Sequence, residues 1–201
     1  MFYKQKFFLK GLHSLPPEIA HAITMKAIRS NFIFSDTNNL NTSNLKTKLG
    51  NLNFSHPLGI AAGFDKNIET INFINNLGIS HMEFGTITPN PQSGNKKPRV
   101  FRLFDDQAII NRLGFPSEGI DSAVKNLSKK KYKIPIGLNI GCNKNSNDFI
   151  DDYLTLTKKL GPFAEWITVN ISSPNTPGLR ELQMGSNLHT LLKNINIERK
   201  K

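Results

Sequence analysis

Beyond residue 45 the chain alternates short apolar runs with stretches of helical periodicity. The runs "PLGIAAG" (57–63), "HMEFGT" (81–86), "IPIGLNIG" (134–141) and "WITVNIS" (166–172) read as strands. Between them, "NIETINFINNLG" and "DDYLTLTKKLG" carry apolar residues at helical spacing. Strands alternating with helices predict a parallel sheet of βα units. Two segments depart from that rhythm. "LKTKLGNLNFS" reads as a hairpin around a Gly-Asn turn, and "VFRLFDDQAIINRLGF" (100–115) as a hairpin inserted after the second strand. Each run ends in residues capable of chemistry: "GFDK", "GTITPNP", "NIGCNK" and "NISSPN". Such groups gathered at the C-terminal ends of parallel strands are the arrangement of a (β/α) barrel at its active face.

The first 30 residues follow another pattern. Phe2, Phe7, Phe8, Leu9 and Leu12 alternate with lysines, and after "SLPPE" the residues Ala20, Ile23, Ala27 and Ile28 recur at helical spacing. Ser14 or a neighbour is placed to cap this second helix, with a proline in its first turn and Glu18 near its positive end. Two short amphipathic helices with lysine on the polar side suit an anionic membrane surface on one face and packing onto their own domain on another. The Asn/Ser/Thr-rich run "SDTNNLNTSN" (35–44) follows. The expected organisation is a helical extension over 1–34, a linker over 35–44 and a barrel domain over 45–201.

Composition narrows the choice of partners. The 26 basic against 15 acidic side chains leave a net charge of +11, which favours anionic partners. The lysines are scattered or sit in short polar runs such as "KKKYK" (129–133), the pattern of a solvated surface. Zinc-finger spacing, RNA-binding aromatic signatures and recognition-helix patterns are missing, so nucleic acid is not an expected partner. Cys142 is the only cysteine, so neither an intramolecular disulfide nor a thiolate metal cluster is expected; this fits a reducing compartment. No metal is expected. No apolar stretch approaches the ~20 residues that cross a bilayer, and the N-terminus lacks the apolar core and cleavage site of a signal peptide.

The stretch "NISSPNTPGLR" (170–180) ends a strand in small hydrogen-bonding groups on a backbone stiffened by two prolines. Alone, it reads as a proline-stabilised turn with a capping serine. It is accompanied by "AAGFDK" (61–66), "EFGTITPNPQSGNKKPRVFRL" (83–103) and "NRLGF" (111–115). In this order and at these spacings the stretches resemble the successive motifs of the dihydroorotate dehydrogenases, and the resemblance runs through essentially the whole chain. It implies a TIM-type (β/α)8 barrel that binds FMN and oxidises dihydroorotate to orotate in pyrimidine (UMP) biosynthesis.

The resemblance also implies roles. Ser173 is the implied base, taking a proton from C5 of the substrate while a hydride passes from C6 to the flavin, and Thr176 is its implied relay hydroxyl. An isolated serine is a poor base at neutral pH and needs a shielded site and such a partner. Pro174 and Pro177 restrict the loop and help hold Ser173 over the substrate. Asn170 and Asn175 are implied at the substrate's imide and carboxylate edges. Lys66 and the loop Asn111, Arg112, Leu113, Gly114 and Phe115 are implied on the substrate side. Ala62, Gly63, Phe64, Asp65 and Lys66, with Thr86, Asn139 and Asn170, are implied cofactor contacts, the glycine letting the flavin approach the backbone. A serine rather than a cysteine base, together with the helical extension, implies the class 2 branch, which passes electrons to a membrane quinone. His21 and Arg102 resemble residues lining the quinone passage. The implied location is peripheral membrane, on the cytoplasmic face of the cell membrane if the source is bacterial.

Two positions depart from the family's pattern. Cys142 stands in "NIGCNK" where a lysine is common, and Pro116 follows "NRLGF" where asparagine is usual; altered loop shape and local charge near the flavin are expected. A TIM barrel needs eight strands and typically ~250 residues, whereas about four barrel strands are legible here. The family's further flavin-contacting lysine and threonine and its phosphate-holding loops would lie in a second half. The expectation is therefore a truncated class 2 enzyme whose "PLGIAAG" and "WITVNIS" strands are unpaired edges. The alternatives are a barrel completed by a second half-barrel or a separately encoded C-terminal half, and a catalytically inactive remnant acting as a basic membrane-peripheral or interaction module.

Overall fold

A computed structural model of the chain describes residues 9–30, 42–128 and 132–201. Phe2, Phe7 and Phe8, most of the 35–44 linker and part of "KKKYK" lie outside the described residues. Residues 9–14 are helical, and helix α1 (Pro17–Arg29) follows after a break at Leu15 and Pro16. Its N-terminus differs from expectation. The N-cap is Pro16 with no side-chain cap, because the Ser14 hydroxyl donates back to the Gly11 carbonyl (2.8 Å). Pro17, whose missing N–H costs nothing at the first helical position, starts the helix instead.

The hairpin at the start of the barrel region forms as expected: β1 (Thr47–Leu49) pairs antiparallel with β2 (Leu52–Phe54) around Gly50 and Asn51. Gly50 has φ 57°, the left-handed conformation that so tight a turn demands. Next come β3 (Gly59–Ile60) and β4 (His81–Ile87), then the inserted hairpin of β5 (Val100–Leu103) and β6 (Ala108–Asn111), then helix α2 (Gly119–Ser128). Strand β7 (Ile136–Ile140), helix α3 (Phe149–Leu160), strand β8 (Trp166–Val169) and helix α4 (Gly185–Glu198) complete the described elements. Strands β3, β4, β7 and β8 form one parallel sheet in that order, with β3 and β8 at its edges.

One face of this sheet makes the core. Met82 and Phe84 of β4 and Ile136, Leu138 and Ile140 of β7 are buried with Ile120, Ala123 and Leu127 of α2 and Tyr153, Leu156 and Leu160 of α3. On each helix these residues recur every three or four positions, which puts them on one stripe. Full burial of each large apolar side chain is worth about 1.5–3 kcal/mol, so this layer is what holds the helices to the sheet. The alternate positions point to the other face, where the register aligns Glu83 with Gly137 and Gly137 with Trp166, and Asn139 with Thr168.

Residues 67–78 were expected to be helical but form turns and a single 3-10 turn at Ile74–Asn76. The cause is Asp65. Its buried carboxylate accepts hydrogen bonds from the backbone N–H groups of Asn67 (3.2 Å), Glu69 (3.0 Å) and Thr70 (2.7 Å) and from the Thr70 hydroxyl (2.7 Å). A side chain that captures these donors offers the backbone an alternative to the helix. Ile68, at φ 61°, lies outside helical geometry altogether.

Candidate active site

The C-terminal ends of the parallel strands carry a connected polar layer on the face opposite the core. Thr86 Oγ donates to Asn139 Oδ1 (2.7 Å), and the Asn170 side-chain amide donates to both Thr86 Oγ (3.2 Å) and Asn139 Oδ1 (3.1 Å). The amide of Asn139 donates in turn to Glu83 (2.9 Å), which also accepts from the Trp166 indole (2.9 Å) and the Thr168 hydroxyl (2.8 Å). Thr86 reaches this layer because the β4–β7 register shifts between Phe84 and Ile87. Strict alternation would have left Thr86 on the helix side with Phe84; a bulge re-aims it. The backbone of Asn170 is anchored separately, its carbonyl accepting from the Tyr153 hydroxyl (2.7 Å) and its N–H donating to Ile140 (2.9 Å).

The loop after β3 brings a cation to the same end. Gly63 N–H donates to the Gly85 carbonyl (2.8 Å), and Gly85 N–H to the Asp65 carbonyl (3.0 Å), which stitches the loop to β4. Gly63 has φ 98°, and a methyl group built there would meet no atom within 4 Å. The backbone is thus open to a flat ligand at that point. Lys66 Nζ donates to the Gly63 carbonyl (2.6 Å). Burial first, then repulsion from Arg99, hold its ammonium below the usual lysine range, while Asp65 and Glu18 oppose the shift. The Asp65 carboxylate serves the loop's own turn rather than any ligand.

One cleft is lined by Gly63, Lys66, Thr86, Asn111, Leu113, Gly114, Phe115, Pro116, Ser173 and Asn175. One wall, expected on the substrate side, is the loop after β6, where Gly114 (φ 67°) and Phe115 (φ 50°) are consecutive left-handed residues. Gln92 holds them, donating to the carbonyls of Phe115 (2.9 Å) and Gly114 (3.3 Å). Arg112 turns its guanidinium back to the Pro98 carbonyl (2.9 Å) and over the Phe101 ring (5.9 Å), so it frames the loop rather than entering the cleft. Of the residues expected at the cofactor, Asn139 and Asn170 sit beneath the cleft in the polar layer, and Phe64 packs against the core. Ala62 is half-buried in the same loop.

Ser173 Oγ accepts from the Asn175 N–H (3.2 Å). Thr176 is buried at 3% exposure, and its hydroxyl is without a hydrogen-bond partner among the described residues. The two hydroxyls are therefore not joined. The loop is closed from outside by Arg180, which donates to the Ser172 carbonyl (3.2 Å), and by Gln183, which donates to that of Ile171 (2.8 Å).

His21 and Arg102 stand apart from this cleft. His21 Nε2 lies 2.6 Å from the Phe64 carbonyl, and the His21 ring meets the Phe64 ring edge-on. Arg102 donates to the carbonyls of Leu15 (2.7 Å) and His13 (3.0 Å), pinning β5 to the turn before α1. Cys142 does not line the cleft, and its thiol is neutral. It follows Ile140 on the helix side, is fully buried in the core, and has its thiol pushed up to about 11 by burial first and by Asp152 second. Pro116, the other departure, forms part of the cleft wall.

Sequence reasoning missed Glu83, Gln92, Glu18 and Arg99. For Glu83 a signal existed: a lone acid inside an otherwise apolar strand is seldom buried without partners. Gln92 and the Arg99–Glu18 pair (2.8 Å) carry no local signature, because their partners lie far along the chain.

Comparison with known proteins gives the same reading. Residues 44–201 match the family model for dihydroorotate dehydrogenase. The chain is 48% identical over 157 residues to the dihydroorotate dehydrogenase (quinone) of Idiomarina loihiensis, covering 77% of this chain and 47% of that protein. It is 46% identical over 183 residues to the Sinorhizobium fredii protein of that name, covering 91% and 50%. With the mitochondrial protein of Cyclocybe aegerita it shares 45% over 187 residues, covering 92% and 56%. The crystal structure of the DHODH of Eimeria tenella in complex with ferulenol superposes with a TM-score of 0.86 at 37% identity, covering 94% of this chain and 54% of that one. The chain thus spans about half the length of the curated relatives it matches. Its parallel sheet and flanking helices are part of a TIM-type barrel, and the chain belongs to the dihydroorotate dehydrogenase family.

Proposed function

We propose that this chain carries the proton-abstracting part of a class 2 dihydroorotate dehydrogenase site, oxidising dihydroorotate to orotate in pyrimidine biosynthesis with FMN as cofactor and a membrane quinone as final acceptor. The observation that carries the proposal is the convergence of Gly63, Lys66, Thr86, Asn111, Leu113, Gly114, Phe115, Ser173 and Asn175 on one cleft from strand β4 and the segments after β3, β6 and β8. A bound flavin supplies the two-electron acceptor. The open backbone at Gly63 and the amide and hydroxyl layer of Thr86, Asn139 and Asn170 suit the edge of a flat, polar heterocycle.

Each residue then has a task. Lys66 brings positive charge to the meeting point of cofactor and anionic substrate. Asn111 and Asn175 offer side-chain amides on the substrate side. Ser173, at the mouth of a loop stiffened by Pro174 and Pro177, is placed to accept the C5 proton. Thr176 is the hydroxyl through which that proton would leave. It is buried without a hydrogen-bond partner among the described residues, at a cost of about 1–3 kcal/mol that a role in chemistry would account for.

Peripheral membrane attachment belongs to the same proposal. Leu9, Ile19 and Ile23 are exposed on the N-terminal helices. Among the described residues no helix is long and apolar enough to cross a membrane. The net charge of +11 would favour an anionic surface.

The test uses the chain alone and co-expressed with the C-terminal half of the Idiomarina loihiensis relative. Flavin retained through gel filtration and orotate formed from dihydroorotate with a soluble quinone are the expected results. Ser173→Ala should lower turnover by about 10²-fold or more while flavin content is kept. If neither preparation forms orotate, or if the Ser173→Ala variant turns over normally, the proposal falls.

A further inference from the structure

We propose that Glu18, acting through Arg99, is a positioning residue for the substrate-side loop 111–115. The substrate part of this inference rests on the function proposed above; its geometry does not. Arg99 is 7% exposed, and its guanidinium is shared between two places. Nε and Nη2 donate to one carboxylate oxygen of Glu18 on α1 (3.1 and 2.8 Å), and Nη1 donates to the carbonyls of Ser93 (2.5 Å) and Asn95 (3.0 Å). A planar cation with fixed donor directions is suited to holding two segments in one relative orientation.

The segment it holds grips the cleft wall. Asn95 N–H donates to the Leu113 carbonyl (2.9 Å), its side-chain amide donates to the Arg112 carbonyl (3.0 Å), and Arg112 N–H donates to the carbonyl of Arg99 itself (2.8 Å). There is no slack between them. A methyl group at Gly94 would meet Arg99 Nη1 at 2.9 Å and Pro116 Cδ at 3.1 Å. The wall so gripped contains the left-handed residues Gly114 and Phe115, and for Phe115 this conformation persists only when its surroundings impose it.

Glu18 is suited to the role because it is both charged and anchored. Burial raises its carboxyl, but the Arg99 hydrogen bond and charge, with Lys97 and Lys66 farther off, outweigh this and hold it below the ordinary glutamate range. One helical turn later His21 touches the Phe64 carbonyl, so the same face of α1 also meets the loop after β3 that carries Gly63 and Lys66. The helical block is thus tied to the substrate half of the site as well as to the side expected to admit quinone. Removing Glu18 would leave a buried guanidinium without its counter-charge, still bonded to Ser93 and Asn95, and the loop would shift with it.

Hydrogen exchange on the full chain tests this without any cofactor. In Glu18→Ala the amides of Asn95 and Arg112 should exchange about tenfold faster, while those of Leu138 and Ile140 in β7 stay within about twofold of wild type. Glu18→Gln, which keeps an acceptor but loses the charge, should fall between. Unchanged exchange at Asn95 and Arg112, or equal acceleration in β7, overturns the proposal, as does a Glu18→Gln variant indistinguishable from wild type. In the flavin-loaded assembly, Glu18→Ala should raise KM for dihydroorotate about tenfold with kcat within about threefold, a split that general loosening would not give. Equal losses in both overturn the substrate role. If no orotate-forming assembly is obtained, the proposed function fails while the exchange result still decides the strut.

Discussion

The carboxylate of Glu83 on β4 reaches across β7 to accept the indole N–H of Trp166 on β8 at 2.9 Å. It can do so because the residue between them in register is Gly137, which has no side chain to block the path. Glu83 also accepts from Asn139 and Thr168, so three donors on two strands converge on one acid. Glu83→Gln would turn an N–H group toward at least one of those donors. The expected cost is about 1–3 kcal/mol, read from urea unfolding, with weaker flavin retention because Asn139 loses its fixed orientation. Wild-type stability in that variant would show that the three contacts do not act together.

Gly137 yields the second prediction. A methyl group built on it would overlap the Trp166 indole, which its hydrogen bond to Glu83 holds in place. Gly137→Ala should destabilise the chain by about 1–3 kcal/mol. The loss should be much smaller in the Trp166→Leu background, where the collision is relieved. Thermal unfolding of the single and double variants gives the coupling directly.

The parallel sheet was legible because its strands are apolar runs bounded by glycine, proline and polar residues, and "WITV", "IPIGLNIG" and "HMEFGT" all became strands of it. The segment 67–78 was misread because apolar spacing says nothing of a competitor just upstream, and Asp65 captures the donors a helix would have used. Cys142 was legible as a departure but not in its consequence. Its place in the alternation after Ile140, not its closeness in sequence to Asn139, decides which face it joins. The members of the cleft were carried by motif resemblance, which names residues without the contacts that position them. The Arg99–Glu18 pair spans 81 positions and the Trp166–Glu83 bond 83, separations at which neither residue's neighbours betray its partner.

Thr176 separates stability from chemistry. Its hydroxyl is buried and unpaired, so replacing it with a group of the same shape removes a desolvated oxygen and loses no hydrogen bond. Thr176→Val should be neutral or stabilising by up to about 1 kcal/mol. In the proposed relay with Ser173, the same hydroxyl should be needed for turnover, which should fall by about 10²-fold. A variant that is both stable and fully active would remove Thr176 from the mechanism; one that is much less stable would mean that the hydroxyl has a partner in solution.

The floor of the sheet sets an acid limit. His81 opens β4 with its ring against Gly59, 4.8 Å from the Phe54 ring and 6.2 Å from that of Trp166. Its Nδ1 lies 2.7 Å from the Ser80 hydroxyl. Burial first, and the nearby charge of His56 second, hold its imidazole below the ordinary value of 6.5. The unfolded chain therefore binds this proton at a higher pH than the folded one. Stability is full above about pH 6.5 and falls as acid carries the protein down toward the depressed folded value. Unfolding temperature should be flat from about pH 8 to pH 7 and decline below that. His81→Gln, which keeps a hydrogen-bonding group for Ser80 but cannot titrate, should make the decline shallower, and His56→Gln should do the same to a smaller degree. A His81→Gln curve running parallel to wild type would place the acid sensitivity elsewhere in the chain.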